Sequence, residues 1–314
     1  MSRYLARRIA QALLVLWATF SLSFLLLQVL PGDAILIKFQ NPDMGLSPAQ
    51  IADMRAAYGA DVSLWQQYLH ALGNVLRGDL GYSIQAGVPV TELLATNLPA
   101  TLQLAVLGFT LALLLALAIA FISNLTGFGW LRSALQSLPL LFVSVPTFWL
   151  GIVLIQVFSF QLKLIPVINP GEWQGLILPI VTLAVPISAP LAQILTRSID
   201  QVQTQPFVAV ARAKGASRSG VLWRHVARNA MLPALTIAGI LLGELIAGAL
   251  ITETVFGRSG LGQLTLQAVL NQDVAVLQAI VVISAAAFVT LNLLVDLLFP
   301  LLDPRLKTHT GVAV

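Results

Sequence analysis

The residues of this 314-residue chain with capacity for chemistry fall in a few places. The stretch 204–233, TQPFVAVARAKGASRSGVLWRHVARNAMLP, gathers Arg212, Lys214, Arg218, Arg224, His225 and Arg228 in an otherwise apolar sequence. A stretch both polar and basic amid apolar sequence reads as the working surface of the chain. Two carboxylates, Glu244 and Asp296, lie inside long apolar runs, where an ionisable group is costly and is by default a functional candidate; packing is the competing reading. The three histidines, His70, His225 and His309, are scattered, and no H-E-x-x-H occurs, so no metal site is expected. There is no cysteine, which removes disulfides, thiolate ligands and cysteine nucleophiles. No G-x-x-x-x-G-K-[ST] is present: Ala213-Lys214-Gly215-Ala216-Ser217 lacks the glycine cradle for phosphates. Gly257-Arg258-Ser259-Gly260-Leu261-Gly262 mimics a dinucleotide loop without a strand before it, and no G-x-S-x-G elbow exists. The expectation is a protein that is not an enzyme, needs no cofactor and binds no ATP itself.

The elements that position these residues are membrane helices. Hydrophobic residues make up 58% of the chain, charged residues 10%, and mean hydropathy is +0.88, which places it among integral membrane proteins. The pI near 9.8 could suggest nucleic acid, but the bases flank apolar runs, so topology explains them and no nucleic acid is expected. Six spans are expected at about 9–30, 99–123, 134–159, 176–196, 231–252 and 276–299, each long enough for a bilayer. The first run is too long for a signal-peptide core and reads as an uncleaved span behind Arg3, Arg7 and Arg8. Prolines 139, 146, 179, 186 and 190 lie in or beside these runs, and breaks of this kind mark either a translocation path or a simple kink. Gly239, Gly243 and Ala247, four residues apart beside Glu244, form a small-residue stripe that lets helix backbones approach.

Residues 31–98 are acidic and read as an external cap with two helices. One runs over 48–58 behind a capping box at Ser47; the other is an amphipathic helix from Leu64 to Leu76, stopped at Gly78. In the basic loop, Pro206 suits the first helical position, and Gly215 suits the left-handed stop of a helix over 206–214. After a turn at 215–220, Val221, Leu222, His225, Val226 and Asn229 recur at helical spacing, giving a second short helix with an apolar stripe that wants a partner surface. The competing reading, a basic loop that only fixes topology, has no use for that architecture. Under six spans, 12 bases fall inside and five outside; nine acids are external, two internal and two within spans. Both termini are then cytoplasmic.

Several segments carry a family resemblance. Ala211-Arg212-Ala213-Lys214-Gly215, then His225, Arg228-Asn229 and Pro233, resembles the cytoplasmic coupling (EAA) loop of bacterial ABC-importer permeases, most closely the dipeptide/oligopeptide/nickel branch. Leu64–Ser83, Leu98-Pro99-Ala100-Thr101, Ser144–Gly151 with Pro146 and Phe148, and Asp303-Pro304-Arg305 resemble segments of the same branch. So does the outer loop, with Glu253, Phe256, Gly260, Gly262 and Asp273. Ala209 stands where the wider superfamily has its Glu, as that branch commonly does. Ser259, Gln272 and Val274-Ala275 depart from the family's usual outer loop.

The resemblance implies an all-α type I ABC-importer permease: 1–30 N-terminus and first span, 31–98 external cap, 99–303 permease core with coupling loop 204–230, and 304–314 cytoplasmic tail. It implies a bacterial inner-membrane protein importing a di- or oligopeptide, nickel or its chelate, glutathione or an opine. Implied partners are a homologous second permease, two cytoplasmic ATP-binding subunits and an external solute-binding protein, in a lipid bilayer. Phe207, Ala211, Arg212, Ala213, Lys214, Gly215, Leu222, His225, Arg228, Asn229 and Pro233 would couple to the ATPases. Pro146, Phe148, Gly239, Gly243, Glu244 and Ala247 would serve the path or helix packing. The alternatives are a proton-coupled secondary transporter using Glu244 or Asp296, for which six spans are few, and a non-transporting scaffold.

Overall fold

The computed structural model describes residues 2–29, 50, 62–168 and 170–302. The expected helix over 48–58 apart from residue 50, the acids up to and including Asp61, and Asp303, Arg305 and Lys307 therefore lie outside the described residues, as do the side chains of Ala247 and Asp296. Helices dominate: α1 (Ser2–Val29), α2 (Leu64–Leu76), α3 (Val90–Leu125), α4 (Gly129–Ser144), α5 (Thr147–Leu154) and α6 (Gln174–Gln203), then α7 (Pro206–Ala213), α8 (Arg218–Val221), α9 (Ala227–Phe256), α10 (Leu261–Leu270) and α11 (Val274–Leu302). Two π-helical segments, Ile155–Gln161 and Leu222–Val226, continue α5 and join α8 to α9. The one sheet among the described residues is a small antiparallel hairpin, β1 (Tyr82–Ser83) with β2 (Val88–Pro89).

Among the described residues five helical stretches are long and apolar enough to cross a membrane: Ala6–Leu27, Val90–Leu125, Gln174–Gln203, Arg218–Leu245 and Val274–Leu294. The third span expected over 134–159, with Pro146 as a break or kink, is two helices, α4 and α5 with its π extension, bent by 102°. Val145 is extended, as the residue before a proline prefers, and Pro146 stands at the N-cap of α5. The other suspected breaks did not form. Pro139 lies within α4, and Pro179, Pro186 and Pro190 lie within α6. Neighbouring helices and local adjustment can absorb a lost amide hydrogen bond, so proline in a packed span need not end it.

Three boundaries also move. The second span begins at Val90 rather than 99, because Pro99 is accommodated inside α3. The second helix of the basic loop is not separate: α8, the π turn and α9 follow one another without a break. Glu253 and Phe256, expected in an outer loop, form the last turn of α9, and Glu253 is buried.

The chain divides into two compact units: residues 1–101 with 257–290, and 102–256 with the remainder. The second unit is built on tightly packed small residues. A Cβ added to Gly108 would lie 2.8 Å from Leu183 Cδ2, and one added to Gly248 2.9 Å from Leu183 Cδ1, so Leu183 of α6 is wedged against both glycines. Where hydrocarbon surrounds the helices, burial of apolar surface gives little net drive, and close approach of this kind supplies the dispersion that holds them together. Gly151 of α5 is as tight, with Val255, Phe256 and Thr182 side-chain atoms 3.1–3.3 Å from an added Cβ.

The first unit is tied by polar contacts. The Trp17 indole N–H donates to Tyr68 Oη at 3.1 Å, and Ser21 Oγ lies 2.8 Å from the same oxygen, fixing α2 on α1 beside Phe20 and Phe24. Gln278 donates to Phe20 O and Ser23 Oγ, joining α11 to α1. Ser83 donates to the buried Asp273 carboxylate at 2.5 Å, clipping the hairpin to the turn before α11. Asp273 also caps α11, accepting from Val276 N at 3.4 Å. Thr101 Oγ1 accepts the Leu261 amide at 2.9 Å, satisfying an otherwise orphan N–H at the start of α10.

Candidate coupling surface

The basic loop between α6 and α9 is an ordered helix, turn and helix start. Pro206 opens α7 at its first position, with extended Gln205 before it. α7 ends at a Schellman turn: Gly215 N donates to Arg212 O at 2.9 Å, Ala216 N donates to Ala211 O at 3.1 Å, and Gly215 has φ +84°. Ala211 and Ala216 supply the apolar contact that accompanies this motif, both packed against the core. Ser217 then caps the next helix, its Oγ accepting the Gly220 amide at 3.1 Å. That cap moves the helix start to Arg218, three residues ahead of the expected apolar stripe. The signal was present as a serine following a left-handed glycine.

Val208 buries one side of α7, leaving Phe207 and Val210, three residues apart, 42% and 54% exposed beside Arg212 and Lys214. The apolar stripe expected to seek a partner is satisfied within the chain: Val221, Leu222 and Val226 are all buried in its own core. The π turn at 222–226 sets that register. It turns Trp223 outward, stacked on Phe121 with centroids 4.4 Å apart and 59% exposed, a residue the sequence pattern did not single out.

The remaining candidates divide between exposed and inward positions. Arg212, Ala213, Lys214 and Gly215 are exposed, whereas Ala211 and Leu222 are anchors packed inward. His225, Arg228, Asn229 and Pro233 are exposed and line a cavity of about 580 Å³ with Phe207, Arg224 and residues of the α6 end. The Asn229 amide holds His225 O at 3.1 Å. Asp200, the one acid of this loop, pairs with Arg132 at 3.2 Å.

Of the expected path residues, Pro146, Phe148 and Glu244 are exposed, and Gly239 is buried. Gly260 and Gly262 stand at the start of α10 and Asp273 just beyond its end, in the first unit, so the structure does not gather them into one site. No group of three or more metal-ligating side chains occurs among the described residues.

Apolar helices long enough to cross a membrane, with one ordered basic loop between two of them, define the class: a multi-pass membrane component. Residues 108–308 match the family of binding-protein-dependent transport system inner membrane components, and residues 1–105 match its N-terminal family. The chain belongs to that family; it is a permease subunit of an ABC importer, not an enzyme. It is 35% identical over 98% of its length, and 100% of the relative's, to a probable peptide ABC transporter permease of Sinorhizobium fredii. A glutathione transport system permease of Escherichia coli is 32% identical over 98% of this chain and 99% of its own. Among solved structures, an amino acid ABC transporter "with histidines" shares the fold, with a TM-score of 0.54 and 21% identity over 67% of this chain and 94% of its own. The MetNI methionine ABC transporter does so at 0.53 and 19%, over 68% and 97%.

Proposed function

We propose that this permease forms half of a path importing a di- or oligopeptide, or a glutathione-like solute, and that residues 206–229 couple it to ATP-binding subunits. The observation that carries the coupling role is the exposed pair Phe207 and Val210 on a basic helix, held at a fixed angle by the Schellman turn. Apolar side chains exposed on a polar loop fit a protein partner. The relatives named as peptide and glutathione permeases favour those solutes. Nothing in these relations supports the proton-coupled alternative.

The bent pair crosses the membrane in this reading. Were it re-entrant, the N-terminal arginines and the basic loop would lie on opposite sides, against the preference of Lys and Arg for the cytoplasm. With the crossing, both termini are cytoplasmic and the 62–89 segment external, in the inner membrane. Glu244 is exposed on α9 although it lies mid-span, and a carboxylate is costly in hydrocarbon. That surface therefore faces a second permease or a wet path. Partners are a second, homologous permease, two ATP-binding subunits and an external solute-binding protein.

The test is uptake into vesicles bearing the assembled importer. ATP inside the vesicle compartment that holds the ATP-binding subunits should drive peptide uptake, and collapsing the proton gradient should not stop it. Uptake that dies with the gradient and proceeds without ATP would refute the reading.

A further inference from the structure

We propose that the cavity beside the basic loop binds the phosphodiester headgroup of an anionic phospholipid from the cytoplasmic leaflet. The inference rests on the proposed topology for the side of the membrane.

The cavity, about 580 Å³, lies between the end of α6, the first turn of α7 and the Arg224–Pro233 segment. This is a size ordinary for a small-ligand site. Arg224 and Arg228 both line it, four residues apart and so neighbours on a helical surface, with His225 beside them. Among the described residues neither arginine has an acidic partner, since the nearby Asp200 is held by Arg132. Two unopposed guanidinium groups facing one cavity call for an anion, and a phosphodiester offers two acceptor oxygens to such forks.

Depth and lining select the lipid over a soluble anion. The apolar run of α9 starts near Ala230, so at 1.5 Å per residue Arg228 stands about 3 Å beyond the hydrocarbon edge, within the headgroup layer, with Arg224 on its aqueous side. The headgroup layer occupies about 5–7 Å on each side of the bilayer core. Ser198 and Gln201 near the end of α6, and Gln205 just past it, add polar lining. Val202, Phe207 and Pro233 add an apolar wall, with Pro233 at the membrane end where a glycerol backbone would lie. A basic pocket between membrane helices on the cytoplasmic side suits an anionic headgroup. An acidic side chain from an ATP-binding subunit would need the arginines but not the apolar wall.

The experiment is native mass spectrometry of the full-length chain in its assembled importer, released from nanodiscs of mixed phosphatidylcholine and phosphatidylglycerol. Phosphatidylglycerol should be retained in preference. The Arg224→Gln/Arg228→Gln double variant should lower that preference about 25-fold, at about fivefold for each basic side chain near an anionic surface. Arg224→Lys/Arg228→Lys should keep most of it, which separates charge loss from misfolding. Arg218→Gln, outside the cavity, should leave it unchanged. Absence of preference, equal loss in Arg218→Gln, or displacement of the lipid by inorganic phosphate would overturn the inference. So would retention by the chain alone that vanishes when ATP-binding subunits are present, the result expected of a protein-docking pocket. A reporter fused after Ser217 decides the topology separately: an external reading would sink the proposed coupling role as well, whereas a cytoplasmic reading without lipid retention sinks this inference alone.

Discussion

Replacing Gly215 by valine tests the turn that aims α7. The added Cβ would meet no atom within 4 Å, so the substitution brings no clash, and its cost is that of the backbone at φ +84°. For a residue with a Cβ the left-handed conformation costs about 1–2 kcal/mol. The turn would leave its geometry in a fraction of molecules larger by a factor of roughly 5–30. The spans contribute none of this energy, so membrane levels should be unchanged. We expect Gly215→Val to reduce uptake at matched membrane levels by up to about that factor, with weakened co-purification of ATP-binding subunits or ATP hydrolysis that no longer responds to the loaded solute-binding protein. Gly215→Asn should stay near the parent, because asparagine tolerates the left-handed region. Gly215→Ala should fall between. Valine transporting like glycine, or asparagine failing like valine, would refute the reasoning, since only the first spares the turn and only the second ignores its φ.

The helix ends show what a linear pattern can carry. Pro206 and Gly215 marked both ends of α7, and Leu64 to Gly78 marked α2, because caps are local and depend on few residues. The apolar runs marked the spans for the same reason. Continuity was not legible: Pro99 and Pro233 sit inside helices, whereas the chain bends at Pro146, and the residue type alone does not separate the two outcomes. The stripe at 221–229 was misjudged because a π turn alters its register, and the chain's own core absorbs it. The small-residue stripe at Gly239 and Gly243 was visible, but the wedge of Leu183 between Gly108 and Gly248 needs three helices in place. The Ser83–Asp273 bond joins residues 190 positions apart, beyond any spacing rule.

Three further outcomes follow from these contacts. Gly108→Ala should destabilise the second unit by about 1–3 kcal/mol through overpacking on Leu183, read as a lower melting temperature in detergent; Leu183→Ala in the same chain should restore part of it, and no shift in either variant would contradict the wedge. Asp273→Asn weakens both the bond from Ser83 and the cap of α11, at about 1–3 kcal/mol for a buried charge-assisted contact. Proteolysis at the 82–89 hairpin should therefore quicken, and Ser83→Ala should reproduce the part owed to the hairpin. Ser217→Ala should cost about 1 kcal/mol at the start of the Arg218 helix, seen as faster amide exchange at Gly220, with Ser217→Asp close to the parent.

The central claim is that α7 touches an ATP-binding subunit, and the absence of native cysteine gives a clean way to measure it. A single Val210→Cys, at an exposed position on α7, is treated in the assembled importer with a short thiol-to-thiol crosslinker against single cysteines placed along the ATP-binding subunit. The account predicts a crosslink from position 210 to that subunit, and none from an Ala86→Cys variant in the hairpin. A 210 position that never crosslinks there, and is labelled from outside intact cells by a membrane-impermeant maleimide, would contradict it.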